Sequence, residues 1–197
     1  MFTGIIEDVG EVLEIKKDDD KIFYISTKIN YKNLKIGSSI SCNGICLTII
    51  KKGKKKNNSW FTISASKETL SKSNIQYWKK GTMINLEKSL KIGDELSGHL
   101  VFGHIDGLSK ILSIKKVGDS LSLVCELLPF LNNYIISKGS ISLNGVSLTV
   151  NQVTRKDFKV NIVNYTKKNT TFKDIKIGDL LNVEIDMLAR YVRESLR

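Results

Sequence analysis

The sequence predicts an all-β protein of two tandem, similar, six-stranded antiparallel Greek-key barrels followed by a short C-terminal α-helix. Three observations support this fold class. The 197-residue chain repeats itself over about half its length, each copy is built from short runs rich in Ile, Val, Thr, Phe and Tyr, and the tail has helical periodicity. Short β-type runs without long helical stretches between them are typical of antiparallel barrels.

The internal repeat is clearest in segments 40–49, ISCNGICLTI, and 141–150, ISLNGVSLTV, which are identical at six of ten positions. Glycines near the start, middle and end of each copy align with offsets of 99, 101 and 97. Because these offsets differ so little, insertions are confined to loops, and the chain holds two copies of one unit. The predicted domains are a first barrel at 1–97, a second barrel at 98–187 and a C-terminal helix at 188–197.

The β-type runs recur in the same order in both copies. They are EDVGEVLEI, KIFYIST, SSISCNGICLTII, SWFTISAS and TMINLEKSL in the first, and GLSKILSI, SLSLVCEL, GSISLNGVSLTV, FKVNIVN and LLNVEIDM in the second. The turn dipeptide Asn43-Gly44 divides the central run into two strands, which gives about six strands per copy.

Two connections within the copies carry further expectations. A short helix is expected before each central run, from Pro129 to Gly139 in the second copy, because Pro is favoured at helix starts and Gly at helix ends. The run KKGKKKNN at 51–58 is expected to form a long, solvated hairpin loop.

The tail LARYVRESLR places Leu188, Tyr191, Val192 and Leu196 on one stripe of a helix. A helix of about three turns is marginal in water by itself, so this stripe should pack against something. The two alternatives are the barrel that precedes the helix and another subunit.

The net charge of +11 has two interpretations. A strongly basic protein can bind nucleic acid, so a nucleic-acid-binding β-barrel is one hypothesis. The basic residues, however, are mostly Lys, are spread along the chain and are not interleaved with aromatic residues. Nucleic-acid readers favour Arg for contacts to bases and aromatic rings for stacking. A solvated basic surface is therefore favoured, and no nucleic-acid partner is predicted.

The three cysteines, an odd number, indicate reduced thiols and a cytoplasmic protein. No window approaches the ~18 consecutive apolar residues of a membrane span. The N-terminal segment MFTGIIEDVGEV lacks the basic start and apolar core of a secretory signal. We therefore expect no membrane association.

Strand alternation identifies small polar side chains opposite the apolar face of each central run. In the first copy they are Cys46 and Thr48, and in the second Ser147 and Thr149. Polar residues on an outer strand face are common, but the same arrangement occurs twice. Metal binding is not predicted, because Cys42 and Cys46 do not form a CxxC pair. The residues alone thus predict a tandem barrel that binds something small.

Four segments resemble the riboflavin synthase family: MFTGII at the start, NGICLT, GHLVFGHID between the copies, and GSISLNGVSLTV. The resemblance covers the whole chain in the same order. It implies a transferase of riboflavin biosynthesis that needs no cofactor. Two molecules of 6,7-dimethyl-8-ribityllumazine would react by transfer of a four-carbon unit, giving riboflavin and 5-amino-6-(D-ribitylamino)uracil in the last step of that pathway.

The resemblance also implies an assembly. The active site would lie between the first barrel of one subunit and the second barrel of its neighbour in a cytoplasmic homotrimer held together by the C-terminal helices. Lumazine synthase is a candidate partner. The alternative is a non-catalytic lumazine- or flavin-binding protein of the same fold, but the retained polar residues favour the enzyme.

Site residues are implied by the matching segments. Cys46 is the candidate nucleophile or close polar partner of one substrate, and His104 the candidate proton-transfer or positioning group. Further catalytic candidates are Ser39, Ser147, Thr149 and Asp186. Substrate-binding candidates in the first copy are Gly4, Ile5, Ile6, Cys46, Leu47, Thr48, Ser64, Ala65, Ser66, Lys67, Glu68 and Thr69. Those in the second copy are Gly103, His104, Ile105, Lys138, Ser147, Leu148, Thr149, Asn161, Ile162, Val163, Asn164, Tyr165 and Thr166.

Phe2 is expected to pack at the site. The family usually has an IPxT segment where this chain has Val163-Asn164-Tyr165-Thr166, so a different loop shape is expected there.

Overall fold

Twelve β-strands form two closed antiparallel barrels in the computed structural model, which describes residues 1–17, 20–55 and 58–196. The first barrel contains β1 (Asp8–Lys17), β2 (Lys21–Thr27), β3 (Ser39–Cys42), β4 (Ile45–Lys55), β5 (Asn58–Ala65) and β6 (Met83–Lys88). The second contains β7 (Gly107–Val117), β8 (Ser120–Glu126), β9 (Ser140–Leu143), β10 (Val146–Val153), β11 (Asp157–Ile162) and β12 (Leu180–Ile185).

Both barrels have the same strand order. It is β1-β2-β5-β4-β3-β6 in the first and β7-β8-β11-β10-β9-β12 in the second, and each ring closes on itself. Each barrel encloses its own apolar core, with Phe23 and Phe61 in the first and Phe158 and Phe172 in the second. The predicted fold class is confirmed.

The expected hairpin loop at 51–58 is mostly strand. The strand β4 continues to Lys55 and β5 begins at Asn58, while Lys56 and Asn57 lie outside the described residues. Gly53 pairs with Trp60 across the ladder, and a Cβ on Gly53 would lie 2.6 Å from the Trp60 ring. The indole therefore covers the glycine and offsets the poor strand propensity of this Lys- and Gly-rich segment.

The helix expected from Pro129 to Gly139 is wrong, since only the 3-10 turn Pro129–Leu131 forms there. The chain then reaches Lys138 in a left-handed conformation with φ 68°, which is incompatible with a continuing helix. Lys138 aligns with Gly37, where φ is 82°. Two short helices that were not predicted follow β5 and β11, namely α1 (Lys67–Lys72) and α2 (Asn164–Asn169).

The predicted C-terminal helix is α3 (Met187–Ser195), which begins after the capping residue Asp186. Its predicted stripe is exposed, at 62% for Leu188, 69% for Tyr191, 60% for Val192 and 82% for Leu196. Polar contacts hold the helix to the second barrel instead, since Tyr134 Oη donates to Glu194 Oε1 at 2.8 Å. None of the helices in the described residues is long and apolar enough to cross a membrane.

The barrels meet at their two Asn-Gly turns. A Cβ on Gly44 would lie 2.6 Å from the backbone nitrogen of Gly145, so these turns are in direct contact. Asn85 Nδ2 donates to the Asn144 carbonyl at 2.9 Å, and Asn182 Nδ2 donates to the Asn43 carbonyl at 2.8 Å. The two hydrogen bonds are equivalent under the repeat, so the barrels are related by an approximate two-fold axis between the turns.

Candidate functional site

The segment that precedes each barrel lies against the other barrel. We call residues 2–6 and 101–105 the leading segments. They pair with each other at Phe2 and Val101, with backbone N–O distances of 2.7 and 3.0 Å. The Gly4 carbonyl accepts a hydrogen bond from Ser147 N, and the Gly103 carbonyl accepts one from Cys46 N, both at 2.9 Å. Each candidate site therefore contains residues from both barrels of the same chain.

Glycine is required at both crossing points. Gly4 has φ 76° and Gly103 has φ 80°, in the left-handed region that side chains disfavour. A Cβ on Gly4 would lie 2.6 Å from Ser147 Cβ, and one on Gly103 would lie 2.5 Å from Cys46 Cβ. The backbone of each leading segment is thus packed directly on a candidate catalytic residue.

The first pocket is a cavity of about 310 Å³ at the outer face of the first barrel. It brings together Cys46 and Thr69 of the first copy with His104 of the second. The His104 ring is exposed, and its centroid lies 6.1 Å from that of Phe102. The complete lining is Ile45, Cys46, Glu68, Thr69, Lys72, Ser73, Gly103, His104 and Ile105.

The second site contains a histidine that the sequence did not assign. His99 Nδ1 and Ser147 Oγ are 2.7 Å apart, within hydrogen-bond distance. His99 is 8% exposed, and its Nε2 has no hydrogen-bond partner within the residues that the structure describes. Burial lowers the pKa of His99, and the nearby Asp186 carboxylate acts in the opposite direction. The imidazole is therefore neutral near neutral pH and can accept a proton.

His99 was missed for a specific reason. The repeat aligns His104 with Ile5, but it gives His99 no counterpart, since the first copy would have to extend beyond Met1. The sequence signal that could have identified it is the glycine before it, Gly98. The structure explains this glycine, because a Cβ there would lie 2.0 Å from the Thr3 carbonyl oxygen. This close approach places His99 beside Ser147.

The other predicted residues divide into three groups. The side chains of Leu47, Ala65, Leu148 and Ile162 lie in the barrel cores, so only their backbone could reach a ligand. Ser39 pairs with Thr48 across β3 and β4. The outward-facing positions are exposed, namely Thr48, Thr149, Lys138 and Asn161.

The remaining candidates lie near the leading segments. Phe2 is fully buried, and Ile6 and Tyr165 both line a larger cleft of about 600 Å³ between the barrels. The candidates Ile5, Ser64, Ser66 and Lys67 are half-buried or exposed. Ser66 caps α1, where its Oγ accepts from Thr69 N at 3.3 Å.

The loop that lacks the family's proline keeps a regular shape. Val163 has φ −66° and ψ 156°, which is the extended conformation that a following proline would favour. The helix α2 then begins at Asn164, the first helical position, where proline is commonly found. Asn164 and Thr166 are both partly buried. Residues 163–166 thus enter α2 through an extended residue, and the expected difference in loop shape from the family stays a prediction.

Comparison with known proteins identifies relatives over the whole chain. The family described as "Lumazine binding domain" matches twice, at residues 3–89 and 102–186. Riboflavin synthase of Brucella abortus (strain 2308) is 42% identical over 193 residues, which cover 97% of this chain and 96% of that protein. Riboflavin synthase of Photobacterium phosphoreum is 37% identical and covers 100% of this chain and 89% of that protein.

Solved structures share the architecture. Crystal structures of LumP complexed with riboflavin and with 6,7-dimethyl-8-(1'-D-ribityl) lumazine each match with a TM-score of 0.81. They are 22% identical to this chain and cover 94% of it and 99% of the LumP chain. At this identity the likeness supports the fold alone.

Proposed function

The chain belongs to the riboflavin synthase family and contains two lumazine-binding domains, and we propose that each of its two candidate sites holds one molecule of 6,7-dimethyl-8-ribityllumazine. The reaction is a transfer of four carbons from one lumazine to the other, giving riboflavin and 5-amino-6-(D-ribitylamino)uracil. The observation that carries the proposal is the pair of equivalent sites, at Cys46 and at Ser147, which suits a reaction of two identical substrates.

The second site is suited to proton transfer. The reaction needs a proton removed from a ring methyl group, and a neutral imidazole that contacts a hydroxyl can accept one. We assign this role to His99 acting with Ser147, whose Nδ1 and Oγ atoms are 2.7 Å apart. Asp186 is close enough to favour the imidazolium that would form.

The first site is suited to addition at the other lumazine ring. Cys46 supplies a nucleophilic sulfur at the pocket wall, and His104 lies at the same cavity with an exposed ring. Holding two substrates together converts a bimolecular step into an effectively unimolecular one, which contributes up to roughly 7–11 kcal/mol in ideal cases. Because one site has Cys46 where the other has Ser147, two identical substrates can react differently in the two sites.

The assembly is part of the proposal. The two lumazines must be in contact to exchange four carbons, and the lining of the Cys46 pocket includes neither His99 nor Ser147. We propose a homotrimer in which the first barrel of one subunit faces the second barrel of the next, with α3 at the interface. The exposed stripe of α3 supports this arrangement.

The three free cysteines suit the reducing cytoplasm. Lumazine synthase, as the source of the substrate, is a candidate partner.

The deciding experiment follows product formation. Purified protein is incubated with 6,7-dimethyl-8-ribityllumazine, and riboflavin is measured by its fluorescence. We expect one riboflavin for every two lumazines consumed, without added metal or cofactor. Lumazine binding with no riboflavin produced would contradict the proposal and favour a non-catalytic binding protein.

A further inference from the structure

Two buried glutamates hold the leading segments in place. Glu184 Oε1 accepts from Phe102 N at 2.6 Å, while its Oε2 accepts from Gly103 N at 2.8 Å and from His104 N at 3.1 Å. In the first copy, Glu87 Oε1 accepts from Thr3 N at 2.7 Å and from Thr3 Oγ1 at 2.9 Å. Its Oε2 accepts from Gly4 N at 3.1 Å.

These carboxylates are costly for the fold. Glu184 is 1% exposed and Glu87 is 4% exposed, and in the described part of the chain neither forms an ion pair. Burial raises the pKa of both groups, which means that the charged forms are disfavoured. Each carboxylate accepts hydrogen bonds from the backbone or hydroxyl donors of one short segment. A buried carboxylate without a counter-ion is stabilised only by the hydrogen-bond donors that face it, so these two groups depend on the position of the leading segments.

Each held segment reaches the catalytic candidate of the other barrel. Glu184 bonds to Gly103 N, and the carbonyl of the same residue accepts from Cys46 N. Glu87 accepts a hydrogen bond from Gly4 N, and the Gly4 carbonyl accepts one from Ser147 N. Each glutamate is therefore separated from a catalytic candidate by a single glycine.

A second carboxylate fixes the far end of each segment. Asp106 Oδ2 accepts from Ile185 N at 2.9 Å, and its Oδ1 pairs with Arg190 of α3. In the first copy, Glu7 Oε1 accepts from Lys88 N at 2.7 Å and its Oε2 pairs with Lys88 Nζ at 3.0 Å. The segments are thus anchored on both sides of the glycine.

We propose that Glu184 and Glu87 are positioning residues that act across the barrel boundary, Glu184 on the Cys46 and His104 pocket and Glu87 on the Ser147 and His99 site. The effect on turnover rests on the proposed function. The claim that Glu184 holds Gly103 against Cys46 does not rest on that function, because it concerns only the packing of these residues.

The thiol of Cys46 provides a test that needs no substrate. Cys46 is partly exposed, whereas Cys42 and Cys125 are fully buried at 0%. Alkylation of the native protein by iodoacetamide at about pH 8, above the pKa of about 7 to which burial raises Glu184, therefore reports on Cys46 while Glu184 is charged. The alkylated residue is located by peptide mass spectrometry. In Glu184→Gln an amide N–H replaces one acceptor and faces backbone donors, so the segment loosens. We expect alkylation of Cys46 to become about tenfold faster, the factor for losing one hydrogen bond to a charged group.

Glu87→Gln is the matched control. It makes the same chemical change at the equivalent position, and we expect the alkylation rate of Cys46 to stay at the wild-type value. Glu184→Asp keeps the charge, so the alkylation rate of Cys46 in this variant should lie between those of Glu184→Gln and the wild type. It also serves as the test variant if Glu184→Gln does not fold. A wild-type rate in whichever Glu184 variant folds, or equal acceleration in Glu87→Gln, would overturn the proposal.

Kinetics give the second readout. In both Gln variants we expect kcat to fall about 10–100-fold with a smaller change in KM, because misplacement of a reacting group affects the transition state more than binding. Equal losses in kcat and in the folded fraction would indicate a purely structural role. If the wild-type protein formed no riboflavin, the proposed function would fail, while the alkylation comparison would still decide whether Glu184 positions Cys46.

Discussion

Cys46 and Ser147 occupy equivalent positions and have equivalent backbone contacts. Each backbone N–H donates to the glycine carbonyl of a leading segment at 2.9 Å. The difference between the two sites lies in the side chains, since Ser147 contacts buried His99 whereas Cys46 faces a cavity beside exposed His104. The repeat thus supplies two similar sites, and a few side chains make them chemically distinct.

The first prediction separates the two neighbouring thiols of the first barrel. Cys46→Ala should lower kcat on the order of 10²-fold, because a group that acts on the substrate is lost. Cys42→Ala is the control, since burial raises the pKa of Cys42 well above its usual range and keeps it unreactive. We expect that variant to lose about 1 kcal/mol of stability in urea and to retain kcat. Unchanged turnover in Cys46→Ala would remove the thiol from the mechanism.

The second prediction tests His99 and Ser147 as a pair. His99→Gln and Ser147→Ala should each lower kcat, and the double variant should be little worse than the single ones, because the two groups act as a unit. His104→Gln combined with Ser147→Ala is the comparison, and these effects should multiply, since His104 lies at the other pocket. Riboflavin formation rates measure all variants. Multiplicative effects of His99→Gln and Ser147→Ala would argue against a shared proton-transfer role.

The third prediction concerns pH. Burial raises the pKa of Glu184 from 4.5 to about 7, so between these values the folded protein holds a proton that the unfolded chain has lost. Stability should therefore fall as the pH rises through this window, by on the order of 3 kcal/mol. His99 acts in the opposite direction, since its lowered pKa makes stability fall below pH 6.5. The measurement is the difference in urea unfolding free energy between wild type and Glu184→Gln, which removes the Glu184 contribution alone. If the unfolding free energy changed equally with pH in both proteins, the raised pKa of Glu184 would be contradicted.

Strands could be predicted better than the short helices. Alternating β-branched residues and the Asn-Gly turns identify the strands directly. The helices α1 and α2 have six residues each, too few for an apolar stripe to be visible. The crossing of the leading segments could not be predicted, because it depends on contacts such as Gly103 with Cys46 that are distant in sequence.

The fourth prediction tests that crossing. Gly103→Ala combines a strained φ with a Cβ 2.5 Å from Cys46 Cβ, while Gly37→Ala has a similar φ of 82° and nothing within 4 Å. Both should lose about 1–2 kcal/mol from backbone strain. Only Gly103→Ala should lose further stability and most of its activity, since the leading segment must move away from Cys46. Urea unfolding and riboflavin formation measure the two effects. Equal losses in the two variants would show that the contact is unimportant.

The two barrels have separate apolar cores and are joined by polar contacts, together with Ile6 and Ile105, which each pack against the core of the opposite barrel. Asn85 and Asn182 each donate to the turn of the opposite copy, and Asn74 Nδ2 adds a bond of 3.2 Å to Asn144 Oδ1. The sequence predicted the duplication, but nothing in the pattern indicated that the Asn-Gly turns would meet. Asn is also common in turns for local reasons, so its role between barrels has no signal of its own.

The fifth prediction concerns α3 and the assembly. The apolar stripe of this helix is left uncovered within the chain, although Arg190 binds Asp106 and so connects the helix to the leading segment that carries His104. If the proposed trimer forms through α3, introducing charge with Leu188→Glu and Val192→Glu should dissociate it, because burying two unpaired carboxylates at an interface is strongly unfavourable. Ile92→Glu is the control, a single substitution of the same kind at a fully exposed site in the segment between the barrels. Light scattering should show monomers only for the α3 variant, with kcat lost as the subunits separate. A monomer that keeps full activity would refute a site shared between subunits.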